Sequence, residues 1–351
     1  MREKSLKDIS WLVSEETYRE DSALSYSTLA TYERGGFNCI SSLSERKESP
    51  ALTFGSAVDA IITGGEEEFN SRFIVAEFPN MSDKAVKIIK SLFDKNHIVC
   101  RTFEDISEAK VLDEINTFEY WSNCKSETKL KKLNDEGVSD YYNLLQLAEN
   151  KTLINSDTYS SIMACINVLR DSITTDWYFR PNDPFDDSLE RLYQLKFKAT
   201  LHGINYRCMA DLLIVDYANK IIYPIDLKTS SHPEWEFHKS FVQWNYQIQA
   251  RLYWRIIRAN LDKDEYFKDF TLADYKFIVV NKATLTPLVW EFKQTQYRGE
   301  IAIDKLKLRD PEDIGKELFH YLQDLPDVPD GIKYEKQGAN DIMQWLIKDY
   351  G

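Results

Sequence analysis

The stretch from Gly203 to Ser231 constrains this chain more than any other. Residues 205–215 are rich in apolar side chains, and so are residues 221–227. Between them lies Asp216-Tyr217-Ala218-Asn219-Lys220, a polar segment whose Asp and Asn supply the local backbone bonds of a turn. Folding about Ala218–Asn219 gives a β-hairpin in which Asp211 falls opposite Asp226. Directly opposed side chains of an antiparallel pair lie roughly 5 Å apart. Lys228 is two residues past Asp226, so it points to the same face, about 7 Å further along. Arg207 has the parity of Asp211 and joins that face. Leu212, Ile214, Ile225 and Leu227 take the other.

The geometry carries a chemical requirement. Two ionised carboxylates this close repel, which raises one pKa unless a cation lies between them. Magnesium answers it: it prefers hard oxygen ligands, keeps several waters and binds phosphate oxygens. Manganese is the expected substitute. A bound ion polarises a scissile phosphate and lowers the pKa of a water. Lys228 is placed to orient that water or to offset charge developing on phosphorus. The plain alternative is a solvated Asp226–Lys228 pair on an ordinary strand, since D-x-K alone is common.

Elsewhere the patterning alternates between helix and strand. Residues 24–34 read as a short helix capped by Ser25 or Ser27, and residues 50–63 as a second helix after Pro50. Asp59 lies beside the apolar face of that second helix, where an acid needs a partner. Residues 81–173 read as mainly helical. Pro181-Asn182-Asp183-Pro184 marks a break, followed by a strand over Leu189–Ala199. Ser240–Ala259 reads as one helix with Val242, Tyr246, Gln249 and Tyr253 on one stripe. Tyr275–Asn281 and Leu288–Phe292 read as strands. Ile301–Leu325 reads as a helix, with another short one around Asp341–Trp345.

Four pieces together resemble the PD-(D/E)XK nuclease superfamily, and within it the RecE/RecB-like exonuclease group of the exodeoxyribonuclease VIII type. They are G-x-x-x-R-x-x-x-D from Gly203 through Arg207 to Asp211, I-D-L-K-T from Ile225 to Thr229, Q-x-x-x-Y at Gln249 and Tyr253, and the N-terminal pair S-Y-S-T-L (Ser25–Leu29) and F-G-S-A-V-D (Phe54–Asp59). The resemblance implies an α/β fold: a mixed central sheet of about five strands flanked by helices, a restriction-endonuclease-like core. A mainly helical part over 1–180 would contribute Asp59 to the cleft. The nuclease core with C-terminal helices would occupy 181–351, the two forming one compact unit.

The resemblance also implies roles. Asp211 and Asp226 are the metal-binding acids, with the Leu227 carbonyl as a further ligand. Lys228 is the catalytic lysine, and Gln249 and Tyr253 position DNA or the catalytic groups. Ser25, Ser27, Arg207 and Tyr246 are the expected DNA contacts. Asp59 stands where the group usually carries a histidine ligand. A glutamate often precedes the hairpin in this group, and Gln194 and Glu190 are the nearest matches. The implied activity is magnesium-dependent hydrolysis of DNA from duplex ends in phage or prophage recombination. The implied partners are a single-strand annealing protein and further copies of this chain, in a bacterial host cytoplasm. The alternatives are an endonuclease acting on flaps or in defence, and a catalytically inactive DNA-binding or assembly protein.

Composition narrows the rest. The five cysteines are scattered with no C-x-x-C pair, which excludes the usual zinc spacings, argues against the iron–sulfur nucleases of the same superfamily and fits a reducing cytosol. The N-terminus is too polar for a signal peptide, and no apolar run reaches membrane length. The net charge of −13 runs against holding DNA mainly by phosphate contacts, which a compact nuclease can meet by confining its positive charge to the active-site channel.

Overall fold

The computed structural model describes residues 4–43, 49–293, 301–303 and 306–324. Its contacts divide into one unit of residues 1–55 with 164–351 and a second of residues 56–163. This division differs from one at residue 180, because the first unit draws in the N-terminal segment. Leu24, for example, pairs with Tyr206 in a parallel bridge.

The first unit is built on a mixed sheet. Its strands are β1 (Leu189–Leu201), β2 (Ile204–Asp216), β3 (Ile221–Ser230), β4 (Tyr275–Asn281) and β5 (Leu288–Phe292), adjacent in that order. A short strand, Thr271–Leu272, runs parallel beside β3. The pair β3–β4 is parallel and the other neighbours are antiparallel. A parallel pair needs a long crossover, and the helices Phe237–Gln243 and Tyr246–Leu261 lie within it. The expected α/β class, with a mixed sheet flanked by helices, is what the chain adopts.

Turn chemistry fixes the hairpins. His202 and Gly203 join β1 to β2 at φ 48° and 81°. Positive φ at both central residues suits a tight hairpin turn, and Gly203 takes it without steric cost. Between β2 and β3, the Asp216 carboxylate accepts the Asn219 N–H at 2.9 Å.

One face of the sheet packs on the Tyr246–Leu261 helix. Phe197, Tyr206, Cys208, Leu213, Val215 and Phe277 share a core with Ile248, Leu252 and Ile256. Toward the opposite face, Trp177 meets Tyr223 edge-on at 5.6 Å.

Two helical expectations are corrected. The predicted helix Ser240–Ala259 is two helices, because Asn245 adopts the left-handed conformation between them. The predicted helix Ile301–Leu325 is instead two short antiparallel strands, Ile301–Ile303 and Leu306–Leu308, followed by a helix at Pro311–Asp324. The alternation in IAIDKLKL is a strand period, and Pro311 starts a helix well because its missing N–H is not needed there. The helix expected around Asp341–Trp345 lies outside the described residues.

Asp310 ties this C-terminal helix to the core. Arg251, whose side chain is 1% exposed, ion-pairs with Asp310 Oδ2, and Arg255 reaches Oδ1 at 2.7 Å. Burial raises the Asp310 carboxyl, but the Arg255 hydrogen bonds and the charges of both arginines outweigh it and hold the pKa below the carboxylate range. Asp310→Ala strands a buried guanidinium and is expected to cost about 3–5 kcal/mol in urea unfolding at pH 7. The carboxylate's contribution is present above its ordinary pKa and is lost as pH falls through the lower folded value. The variant and the parent should therefore converge in stability at strongly acid pH.

The second unit is helical. Ile88, Ile89, Leu92, Ile115, Leu133 and Tyr142 of four helices between Asp83 and Ala148 form its core. A parallel pair, Phe73–Val75 with Thr152–Ile154, belongs to the same unit. Among the described residues no helix is long and apolar enough to cross a membrane.

Candidate active site

The hairpin register places the two acids. The β2–β3 ladder runs from Asp216↔Ile221 to Leu212↔Ile225, so the next opposed positions are Asp211 and Asp226. There the Asp211 Oδ2 accepts the N–H of Leu227 at 2.9 Å. Asp226 is 1% exposed. Gln249 Nε2 donates to its Oδ1 at 2.5 Å, and the Lys228 ammonium ion-pairs with its Oδ2. Lys228 also lies 5.1 Å from the centre of the Tyr246 ring. Burial alone would lower the Lys228 pKa, but Asp226 chiefly, with Tyr246 and Asp211, holds it above the ordinary lysine value. Lys228 is a fixed cation here.

The alternation of β1 and β2 breaks at one shared point. On β2, Ile204, Tyr206, Cys208 and Ala210 face the core, and then Leu213 and Val215 do. On β1, Leu195, Phe197 and Ala199 face it, with Leu192 packed beside them. The parity flips on both strands between these runs. Pairing is continuous on both sides, at Tyr193↔Leu212 and Leu195↔Ala210, but is missing between Gln194 and Asp211. Gln194 adopts φ 53°, a conformation costly for a residue with a Cβ. The break turns Asp211 onto the face of Asp226 and Lys228. Unbroken alternation from Ala210 would aim it away.

That break corrects the expectation for Arg207. Its parity with Asp211 does not carry across the flip, so it does not share the acids' face. Its guanidinium donates to the carbonyls of Asp21 and Arg19 and lies 5.1 Å from the Tyr18 ring centre. Lys198, its partner across β1–β2, bonds Asp21 on the same side. Arg207 is an anchor for the N-terminal segment.

The other candidates divide. Gln249, Tyr253 and Tyr246 project from one helix toward the acids. Burial raises the Tyr253 phenol, and Asp226 and Asp211 are among the charges that add to this. Ser25 is buried and caps its helix through Thr28 N–H at 3.3 Å, with its Oγ 2.8 Å from the Ser27 hydroxyl. Ser27 is exposed. Glu190 accepts from Ser5 and Tyr217 and holds those segments together, whereas Gln194 faces Asp211 in register. Asp59 is half-buried on the Pro50–Arg72 helix, within the second unit. Earlier on that helix, a Cβ at Gly55 would stand 3.1 Å from Thr229 Oγ1, so glycine permits a close approach to the end of β3.

Three residues went unread in the sequence. Tyr26 feels the charges of Lys228 and Asp226, and its hydroxyl donates to the Trp244 carbonyl at 2.6 Å. Arg34 lies over the Trp244 indole at 5.5 Å. A Trp-Asn pair inside an apparent helix was the available signal, since Asn tolerates the left-handed conformation that ends one.

The donor set fits a hard divalent cation. Asp211 and Asp226 offer two carboxylates, the Leu227 carbonyl is adjacent in sequence, and Gln249 Oε1 is a buried oxygen with no hydrogen-bond donor among the described residues. Among those residues no group of three or more His, Cys, Asp or Glu could hold a metal ion.

No family model matches the chain, and no curated protein matches it. Among solved structures it is similar to a Eubacterium rectale protein named "putative exonuclease", with a TM-score of 0.40 and 13% identity over 84% of this chain and 80% of that one.

Proposed function

We propose that this chain is a magnesium-dependent deoxyribonuclease acting from the ends of linear duplex DNA. The observation that carries the reading is the convergence of Asp211, Asp226, Lys228 and Gln249 on one face, with Asp211 turned there by a break in two strands. Asp211, Asp226 and the Leu227 carbonyl would hold the ion. When bound, the ion supplies positive charge to the scissile phosphate and lowers the pKa of a water.

The chain's own residues do the rest. Lys228 places a fixed positive charge beside the phosphate that the acids alone would repel. Gln249 fixes the orientation of Asp226, and the half-buried Tyr246 and buried Tyr253 rings keep bulk water from the acids. A recombination setting, an annealing-protein partner and a homo-oligomer belong to the same reading, with manganese as a substitute for magnesium.

End-labelled linear duplex and covalently closed circular DNA, incubated with magnesium, test the proposal. Shortening of the linear molecule with the circle intact is the expected result. Cleavage of the circle would replace the exonuclease with an endonuclease. No hydrolysis of either, with DNA binding retained, would leave a binding protein.

A further inference from the structure

Trp244 sits at the turn between the helices Phe237–Gln243 and Tyr246–Leu261. Its neighbours Phe237 and Phe241 are buried, but Trp244 is 44% exposed. The residue is nonetheless held on two sides. Its backbone carbonyl accepts from the Tyr26 hydroxyl at 2.6 Å and from Arg34 at 3.4 Å, and the Arg34 guanidinium lies 5.5 Å from the centre of its ring. Asn245, fixed in the left-handed region, sets the direction of the chain.

Two tyrosines link this turn to Lys228 and Asp226. The Tyr26 and Tyr246 rings are 6.4 Å apart, and Tyr246 lies under Lys228. From the Trp244 backbone carbonyl, a chain of contacts runs through Tyr26 and Tyr246 to the Asp226–Lys228 pair. If the cation–π contact served only to staple the Tyr26–Gly35 helix to this turn, burying the indole would serve better. Instead an exposed aromatic face and an exposed cation are offered together beside a phosphodiester site. A nucleobase with its attached phosphate matches both, since every base has a stacking face and Arg pairs with phosphate. A base inside a duplex has both faces covered, so the occupant is unpaired.

We propose that Trp244, clamped by Arg34 and Tyr26, is a stacking platform for an unpaired nucleobase of the strand whose phosphodiester lies at Asp211 and Asp226. This rests on the nuclease reading of that site and names its substrate as a single-stranded or frayed end.

The test is fluorescence anisotropy in EDTA, which prevents hydrolysis. A labelled oligothymidylate is compared with an abasic strand of equal length, which keeps the phosphates and removes the bases. The wild-type chain should bind the oligothymidylate about tenfold more tightly than the abasic strand. Trp244→Leu, which keeps apolar bulk without an aromatic face, should erase that difference and leave abasic binding unchanged. Trp244→Phe should retain most of it. Equal binding of the two strands by the wild type, or an undiminished preference in Trp244→Leu, overturns the platform. Base-dependent binding with no magnesium-dependent cleavage refutes the catalytic reading alone. Cleavage without base preference refutes the platform alone.

Discussion

Asp226→Asn is expected to remove magnesium-dependent DNA hydrolysis by roughly three orders of magnitude or more, since losing the ion's charge forfeits several kcal/mol of barrier lowering. The substitution keeps the side-chain volume but removes the negative charge that both a cation and Lys228 need. Asn can still turn its carbonyl oxygen to the Gln249 amide that now reaches Oδ1. Its amide nitrogen then meets the Lys228 ammonium, which has lost its partner. Unpairing a buried charge also costs stability, on the order of 3–5 kcal/mol. Initial rates on end-labelled duplex are therefore read alongside a melting curve. Asp211→Asn keeps the Asp226–Lys228 pair and isolates the catalytic effect. A folded Asp211→Asn protein with wild-type rates would remove Asp211 from the site.

The second large effect concerns Gln194, through its backbone conformation rather than its side chain. Gln194→Ile is expected to lower hydrolysis about a hundredfold, whereas Gln194→Gly should keep it near wild type. Glycine takes φ 53° freely, but a β-branched residue resists it and favours a regular strand. A regular β1–β2 pair aims Asp211 away from Asp226. A consequence independent of catalysis is that the Leu227 amide loses its acceptor, Asp211 Oδ2. Hydrogen exchange at Leu227 should accelerate in Gln194→Ile and stay protected in Gln194→Gly. Equal protection in both would show that the break does not aim the acid.

These two residues also mark what the sequence could reveal. The Asp211–Asp226 opposition was legible because an Asp-Asn turn and two apolar runs leave a single sensible register, and that register is observed. Strands β4 and β5 were legible from alternation bounded by turn residues. The break at Gln194 was not, because nothing in a strand-like string marks a glutamine that must take positive φ. Arg207 was misplaced for the same reason: parity holds only while alternation does. The split of Ser240–Ala259 at Asn245 was missed because the apolar stripe continues across it. Trp244 drew no reading from the sequence, and its exposure distinguishes it from Phe237 and Phe241.

A manganese titration followed by electron paramagnetic resonance tests the central claim most directly, because it reads the ion without needing DNA. The wild-type chain should take up a single tightly held Mn2+. Asp211→Asn and Asp226→Asn should each weaken it by at least about tenfold, and magnesium should compete it away. A wild-type chain that holds no Mn2+, or variants that hold it as tightly as the wild type, would contradict a metal site at this hairpin.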